Sequence, residues 1–96
     1  MKLESITPST SATKKYKAVF RLDNGKTKTI QFGAKGYSDY ILSGSEVKKN
    51  AYIARHGVNE DWISSPLTAS ALSRWILWNK PTLSASISDF KRRFNL

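Results

Sequence analysis

The sequence predicts an α+β domain, strands first and helices after, on three observations. Residues 15–32 hold an alternating run, an Asn-Gly turn and a second alternating run. From about residue 43 onward, apolar residues recur at helical spacing. No segment returns to the strand pattern and no internal repeat is present. Strands followed by helices, rather than alternating with them, is the α+β order. The expected form is an N-terminal antiparallel β-hairpin or three-stranded meander packed on about three C-terminal α-helices. Residues 1–96 make one small basic domain, with a flexible polar loop around residues 8–14.

Each element has its own signal. Lys15 to Leu22 alternates, Asp23-Asn24-Gly25 turns the chain, and Lys26 to Phe32 returns. A two-residue turn would scatter the apolar side chains over both faces. A three-residue turn, with Gly25 left-handed in a bulge, pairs Phe20 with Lys28, Ala18 with Ile30 and Tyr16 with Phe32. That register gathers Tyr16, Ala18, Phe20, Leu22, Ile30 and Phe32 on one face. Leu3 to Thr7 supplies a third strand that Pro8 ends.

In the second half, Ser43 and Glu46 have capping-box spacing and open a helix with Val47, Ala51 and Ala54 on its inner face, ending at Gly57. Ser65-Pro66 reads as an N-cap and first helical position, starting a helix that reaches about Asn79. Lys80-Pro81-Thr82 breaks it. In the last helix Leu83, Ile87, Phe90 and Phe94 form a core stripe, with Ser84, Ser88, Lys91 and Arg92 toward water.

Charge bounds the function. Sixteen Lys/Arg against seven Asp/Glu leave +9 on 96 residues. Residues 1–36 carry eight basic and two acidic groups, and residues 67–96 carry five and one; the middle is near neutral. A field of that size attracts a polyanion. With 40% hydrophobic residues and eleven aromatics, the chain is too apolar for a disordered tail. No apolar run is long enough to span a bilayer, and Met1 to Ile6 resembles no secretory signal. Zero cysteines exclude disulfides and thiolate metal sites, and suit a reducing compartment.

The candidate nucleic-acid contacts are Lys15, Lys17, Arg21, Lys26, Lys28 and Lys35 as a principal basic surface, with Lys26, Lys28 and Lys35 reinforcing one end of the hairpin. Lys91, Arg92 and Arg93 make a second surface, which would let one molecule bridge two duplexes. Gly33-Ala34-Lys35-Gly36 lacks the spacing of a phosphate-binding Walker loop. The final helix carries only Ser84, Ser86 and Ser88 near its start, weak readers of base edges, so sequence-specific readout is not expected. Trp75 and Trp78 share a helix with core positions and belong inside; Tyr37 and Tyr40 are better placed for a surface role. His56 stands alone, and Glu60-Asp61 is a loop pair without a partner base. No catalytic, metal or cofactor constellation emerges.

Gly33 to Tyr40, Tyr52-Ile53-Ala54-Arg55-His56, Leu72 to Pro81 and Asp89 to Phe94 resemble a family of small uncharacterised basic proteins of giant and other nucleocytoplasmic large double-stranded DNA viruses. The likeness covers nearly the whole chain and is most specific at Trp75-Ile76-Leu77-Trp78-Asn79-Lys80-Pro81. It departs at Leu42 to Lys49, where relatives are more densely charged, and at Ser84, often basic in relatives. The resemblance implies no activity and no site residues. It implies a setting inside an infected cell, in the viral factory, nucleus or virion. The expectation is therefore a non-enzymatic, largely sequence-independent double-stranded DNA-binding protein. Viral capsid or scaffold proteins are the alternative partner and RNA the second alternative.

Overall fold

The structure, a computed structural model, describes residues 1–96. Strands β1 (Lys2–Pro8), β2 (Lys14–Arg21) and β3 (Thr27–Ala34) form an antiparallel meander in that order. The hairpin takes the three-residue turn. Leu22 C=O accepts from Gly25 N–H at 2.9 Å and Leu22 N–H donates to Lys26 C=O at 2.8 Å. Gly25 sits at φ +83°, where a Cβ would be strained. Phe20 faces Lys28, Ala18 faces Ile30 and Tyr16 faces Phe32, the register that alternation predicts. On β1, Leu3 and Ile6 are three apart and would fall on opposite faces of a regular strand. An irregularity between Leu3 and Ser5 absorbs the odd residue, so Leu3 meets Phe20 and Ile6 meets Ala18 on the same face.

That face holds the core. Ala18, Phe20 and Phe32 are fully buried with Leu72, Ile76 and Phe90 from the helices, and Leu3 and Leu77 complete the cluster. Burying each large side chain contributes about 1.5–3 kcal/mol. Phe20 and Phe90 meet edge-on at 6.3 Å, which locks the last helix to the sheet.

Helical elements make up the rest. A single turn, α1 (Tyr40–Ser43), is capped by the Asp39 side chain, which accepts from Leu42 N–H, and ends at left-handed Gly44. Helix α2 (Glu46–His56) is capped by Ser45, not Ser43. Ser45 Oγ lies in front of the helix and accepts from Lys48 N–H at 3.2 Å. The inner face of α2 also differs from expectation. Val47 is 80% exposed and Ala51 and Ala54 face water, while Tyr52 is buried. The reason is an aromatic stack: the Tyr52 ring lies 4.7 Å from Trp78 at 8° and also stacks on His56 and Trp62. A flat ring on a flat ring removes more apolar area than Val47 could at this site.

Helix α3 (Ala69–Leu72) starts later than Ser65-Pro66 predicts. Ser65 Oγ accepts from Leu67 N–H in a local turn, and Thr68 takes the cap, accepting from Ala71 N–H at 3.0 Å. The chain continues as a π-helical segment, Ser73–Leu77, in which Trp78 N–H reaches back five residues to Ser73 C=O. Helix α4 (Leu83–Phe94), capped by Thr82, presents the predicted stripe, with Phe90 fully buried. No helix is long and apolar enough to cross a membrane.

Candidate polyanion-binding surfaces

Strand alternation sorts the cations of the sheet. Even-numbered residues of β2 point to the core side, so Lys17 and Arg21 lie on the opposite, outer face. Lys2 sits opposite Arg21 and joins them. Around them on the same face stand Ser5, Thr7, Thr27, Thr29 and Gln31, with Val19 the one apolar side chain. Two acids stand beside them: Glu4, whose Oε1 lies 2.5 Å from Arg21 Nε, and Asp23 in the turn, paired with the Met1 ammonium. Lys26 and Lys28 are exposed near the hairpin tip without ion pairs. Lys28, however, stands directly opposite Phe20 and so projects from the core-side face, not from the outer face expected of it.

Two further residues of the expected surface stand elsewhere. Lys35 does not reinforce the hairpin tip; it lies past the far end of β3, where its N–H donates to Thr13 C=O and its Nζ to Ser11 C=O at 2.8 Å. Nine residues of extended chain separate it from Lys26, about 30 Å at strand rise. Lys15 turns inward. Its Nζ lies 2.6 Å from Asp39 Oδ2 and 2.6 Å from the Tyr37 carbonyl, and only 13% of its side chain is exposed. Its charge is matched by a buried carboxylate.

At the end of α4, Arg92 and Arg93 both donate to Asp89, Arg93 Nε at 2.7 Å, while Lys91 is exposed without a partner. Asp89 also accepts from Asn79 Nδ2 at 2.6 Å. Burial pushes its carboxyl up, but the hydrogen bonds from Arg93 and Asn79, the Arg93 charge and the Arg92 hydrogen bond outweigh it and hold it at about 2. The Arg93 guanidinium lies 3.8 Å from the Trp75 ring centre. This cluster braces α4 against the π-helical segment as much as it presents charge.

A concavity of about 830 Å³ opens between the far end of the sheet and the helices. Phe32, Gly33 and Leu77 line it from the sheet and helix side, with Tyr52 and Trp78 behind. Lys14 and Lys15 come from β2, Lys48, Arg55 and His56 from α2, and Ser70 and Ser73 from α3 and the segment after it. Lys14, Lys48 and Arg55 have no ion pair. The one acid in the lining is Glu60, held 3.1 Å from His56 Nδ1. Ser70 Oγ is buried without a hydrogen-bond partner. Burial pushes the Tyr52 phenol up to about 12, reinforced by the Glu60 charge and opposed by Arg74. Sequence reasoning missed this cleft. Lys48, Tyr52 and Arg55 recur at i, i+4 and i+7, a legible helical face, but its partner wall comes from residues 14–38.

Tyr40 is buried and its hydroxyl donates to Glu46 at 2.7 Å, so it has no surface role. Tyr37 is 73% exposed. Trp62, Trp75 and Trp78 are half-buried and engaged: Trp75 Nε1 donates to the Trp62 carbonyl, and Trp62 and Trp78 both stack on Tyr52. No three His, Cys, Asp or Glu side chains converge as metal ligands.

Residues 4–56, more than half of the chain, match the model of a family described as a family of unknown function (DUF5754). The matched segment runs from β1 to the end of α2, and so holds the sheet and two walls of the cleft. No curated protein and no solved structure matches the chain.

Proposed function

The chain belongs to DUF5754, a family of unknown function, and we propose that it is a non-enzymatic, largely sequence-independent nucleic-acid-binding protein whose main ligand is double-stranded DNA. One observation carries this reading: the outer face of the sheet is polar and cationic and contributes nothing to the core. Lys2, Lys17 and Arg21 project from it among hydroxyl and amide groups, against Glu4 on the neighbouring strand and Asp23 in the turn, the latter paired with the Met1 ammonium. Lys26 adds an exposed cation at the hairpin tip, while Lys28, opposite Phe20, projects from the other face and lies outside this surface. A flat face of this kind suits the regularly spaced phosphates of a duplex, and it offers no set of side chains shaped to read base edges. The setting implied by the resemblance to proteins of large DNA viruses belongs to the same proposal: the bound duplex would be the viral genome, organised in the infected cell or the virion.

The test is duplex binding by the full chain across a salt series. Neutralising about four phosphates gives a log–log slope near −4. A Lys17→Gln, Arg21→Gln, Lys26→Gln variant should flatten that slope by about one unit for each phosphate no longer neutralised, while its thermal unfolding stays close to the parent's. Absence of duplex binding, or binding that ignores salt, would overturn the reading. A salt-insensitive complex with a capsid protein in its place would move the chain to the structural class.

A further inference from the structure

The cleft and its surroundings carry a second, more specific reading, which rests on the nucleic-acid proposal but uses different residues. Tyr37 stands on a ridge between two concavities. One is the cleft of about 830 Å³; the other, about 550 Å³, lies on the Lys35 side, and Lys15, Tyr37 and Ser38 line both. The ring is 73% exposed, yet its backbone is pinned: Tyr37 C=O accepts from Lys15 Nζ at 2.6 Å, and the same ammonium is held by buried Asp39. A large aromatic in water on an anchored loop loses apolar hydration and little entropy when a flat partner covers it. Cations without ion pairs flank it on both sides, Lys35 on one and Lys14, Lys48 and Arg55 on the other.

We propose that Tyr37 is the stacking platform for one base of a single-stranded nucleic acid, whose phosphates on one side reach Lys35 and on the other enter the cleft toward Lys14, Lys48 and Arg55. A duplex keeps its base faces stacked inward and has none to offer Tyr37; a single strand does. Alternating an aromatic with unpaired cations along a concave path is the arrangement that holds single strands without sequence preference. The outer sheet face and this track lie on different parts of the molecule, so one chain can hold a duplex and a single strand.

The experiment measures fluorescence anisotropy of labelled thymidine and uridine oligonucleotides and of a labelled duplex, each with the full chain. Tyr37→Ala should weaken single-strand binding roughly tenfold, within the range for losing one base–aromatic stack, and leave duplex binding unchanged. Tyr37→Trp should restore it. Lys48→Glu with Arg55→Glu should weaken the single strand alone, and Lys17→Gln with Arg21→Gln the duplex alone. Equal single-strand affinity for the parent and Tyr37→Ala overturns the platform, as does a thymidine monophosphate that binds as tightly as the oligonucleotide. Duplex binding that survives that result leaves the main proposal standing; loss of all nucleic-acid binding by the parent removes both. A preference between the thymidine and uridine strands shows which source the track takes.

Discussion

Lys15 and Asp39 form the one closely buried lysine–carboxylate pair in the molecule, Nζ to Oδ2 at 2.6 Å with the Asp39 side chain 3% exposed. The pair does three things at once. It ties β2 to the segment after β3, it orients the carboxylate whose other oxygen caps α1 through Leu42 N–H at 2.9 Å, and it fixes the Tyr37 carbonyl. Lys15 therefore belongs to the architecture beside the binding surface. Charge reversal at Lys15 tests the fold before it tests DNA binding.

Lys15→Met should lower stability by about 3–5 kcal/mol, because the Asp39 carboxylate is left buried without its counter-charge. Lys17→Met, on the outer face without an ion pair, should change stability by less than about 0.5 kcal/mol. Urea denaturation of the two variants checks the contrast, and equal costs would contradict the structural role.

Asp89 gives the fold an acid-labile component. Its folded-state carboxyl sits at about 2 against an ordinary 3.8, a depressed value, so the contribution is present above the ordinary value and disappears as pH falls through about 2. The size is about 2 kcal/mol. Denaturation midpoints should drop between about pH 4 and pH 2, and Asp89→Asn should lower stability at neutral pH while flattening that part of the profile.

Tyr52 gives the opposite limb. Its phenol is raised from 10.0 to about 12 by burial first and the Glu60 charge second, so the folded form resists ionisation. Stability is full below about pH 10 and declines as pH rises toward 12. Absorbance titration should show Tyr52 ionising late, beside Tyr40, whose phenol is also raised by its hydrogen bond to Glu46. Loss of the Tyr52–Trp78 stack should accompany Tyr52 ionisation. Tyr52→Phe keeps the ring and should remove one late-ionising phenol from the titration together with its share of the alkaline decline.

Gly33 combines a left-handed backbone with a crowded site. It has φ +77°, and a Cβ there would lie 2.8 Å from Leu77 Cδ1 and 3.2 Å from Lys15 Cβ. Gly33→Ala should cost about 2–4 kcal/mol from backbone strain and overpacking together. Gly36→Ala, at φ +87° with nothing within 4 Å, should cost about 1–2 kcal/mol from strain alone. Thermal unfolding of the two variants measures the difference that the Leu77 neighbour makes.

Elements governed by neighbours in the chain were legible from the sequence by itself. Asp23-Asn24-Gly25 and the flanking alternation determine the hairpin and its register, because turn geometry and side-chain period act within a few residues. The stripe Leu83, Ile87, Phe90 and Phe94 determines the face of α4 for the same reason. The tertiary structure decided whatever depends on partners far along the chain. Val47 and Tyr52 compete for the inner face of α2, and Trp78, twenty-six residues beyond Tyr52, settles it through the stack. The basic surplus is a property of composition, but its distribution is not. Asp39 removes Lys15 from the binding surface across 24 residues, Glu4 reaches Arg21 from the neighbouring strand, and a cationic cleft appears only where β2 and α2 approach. Coulombic pairing and burial act through space, so a linear count of charges sets the size of the field but not its shape.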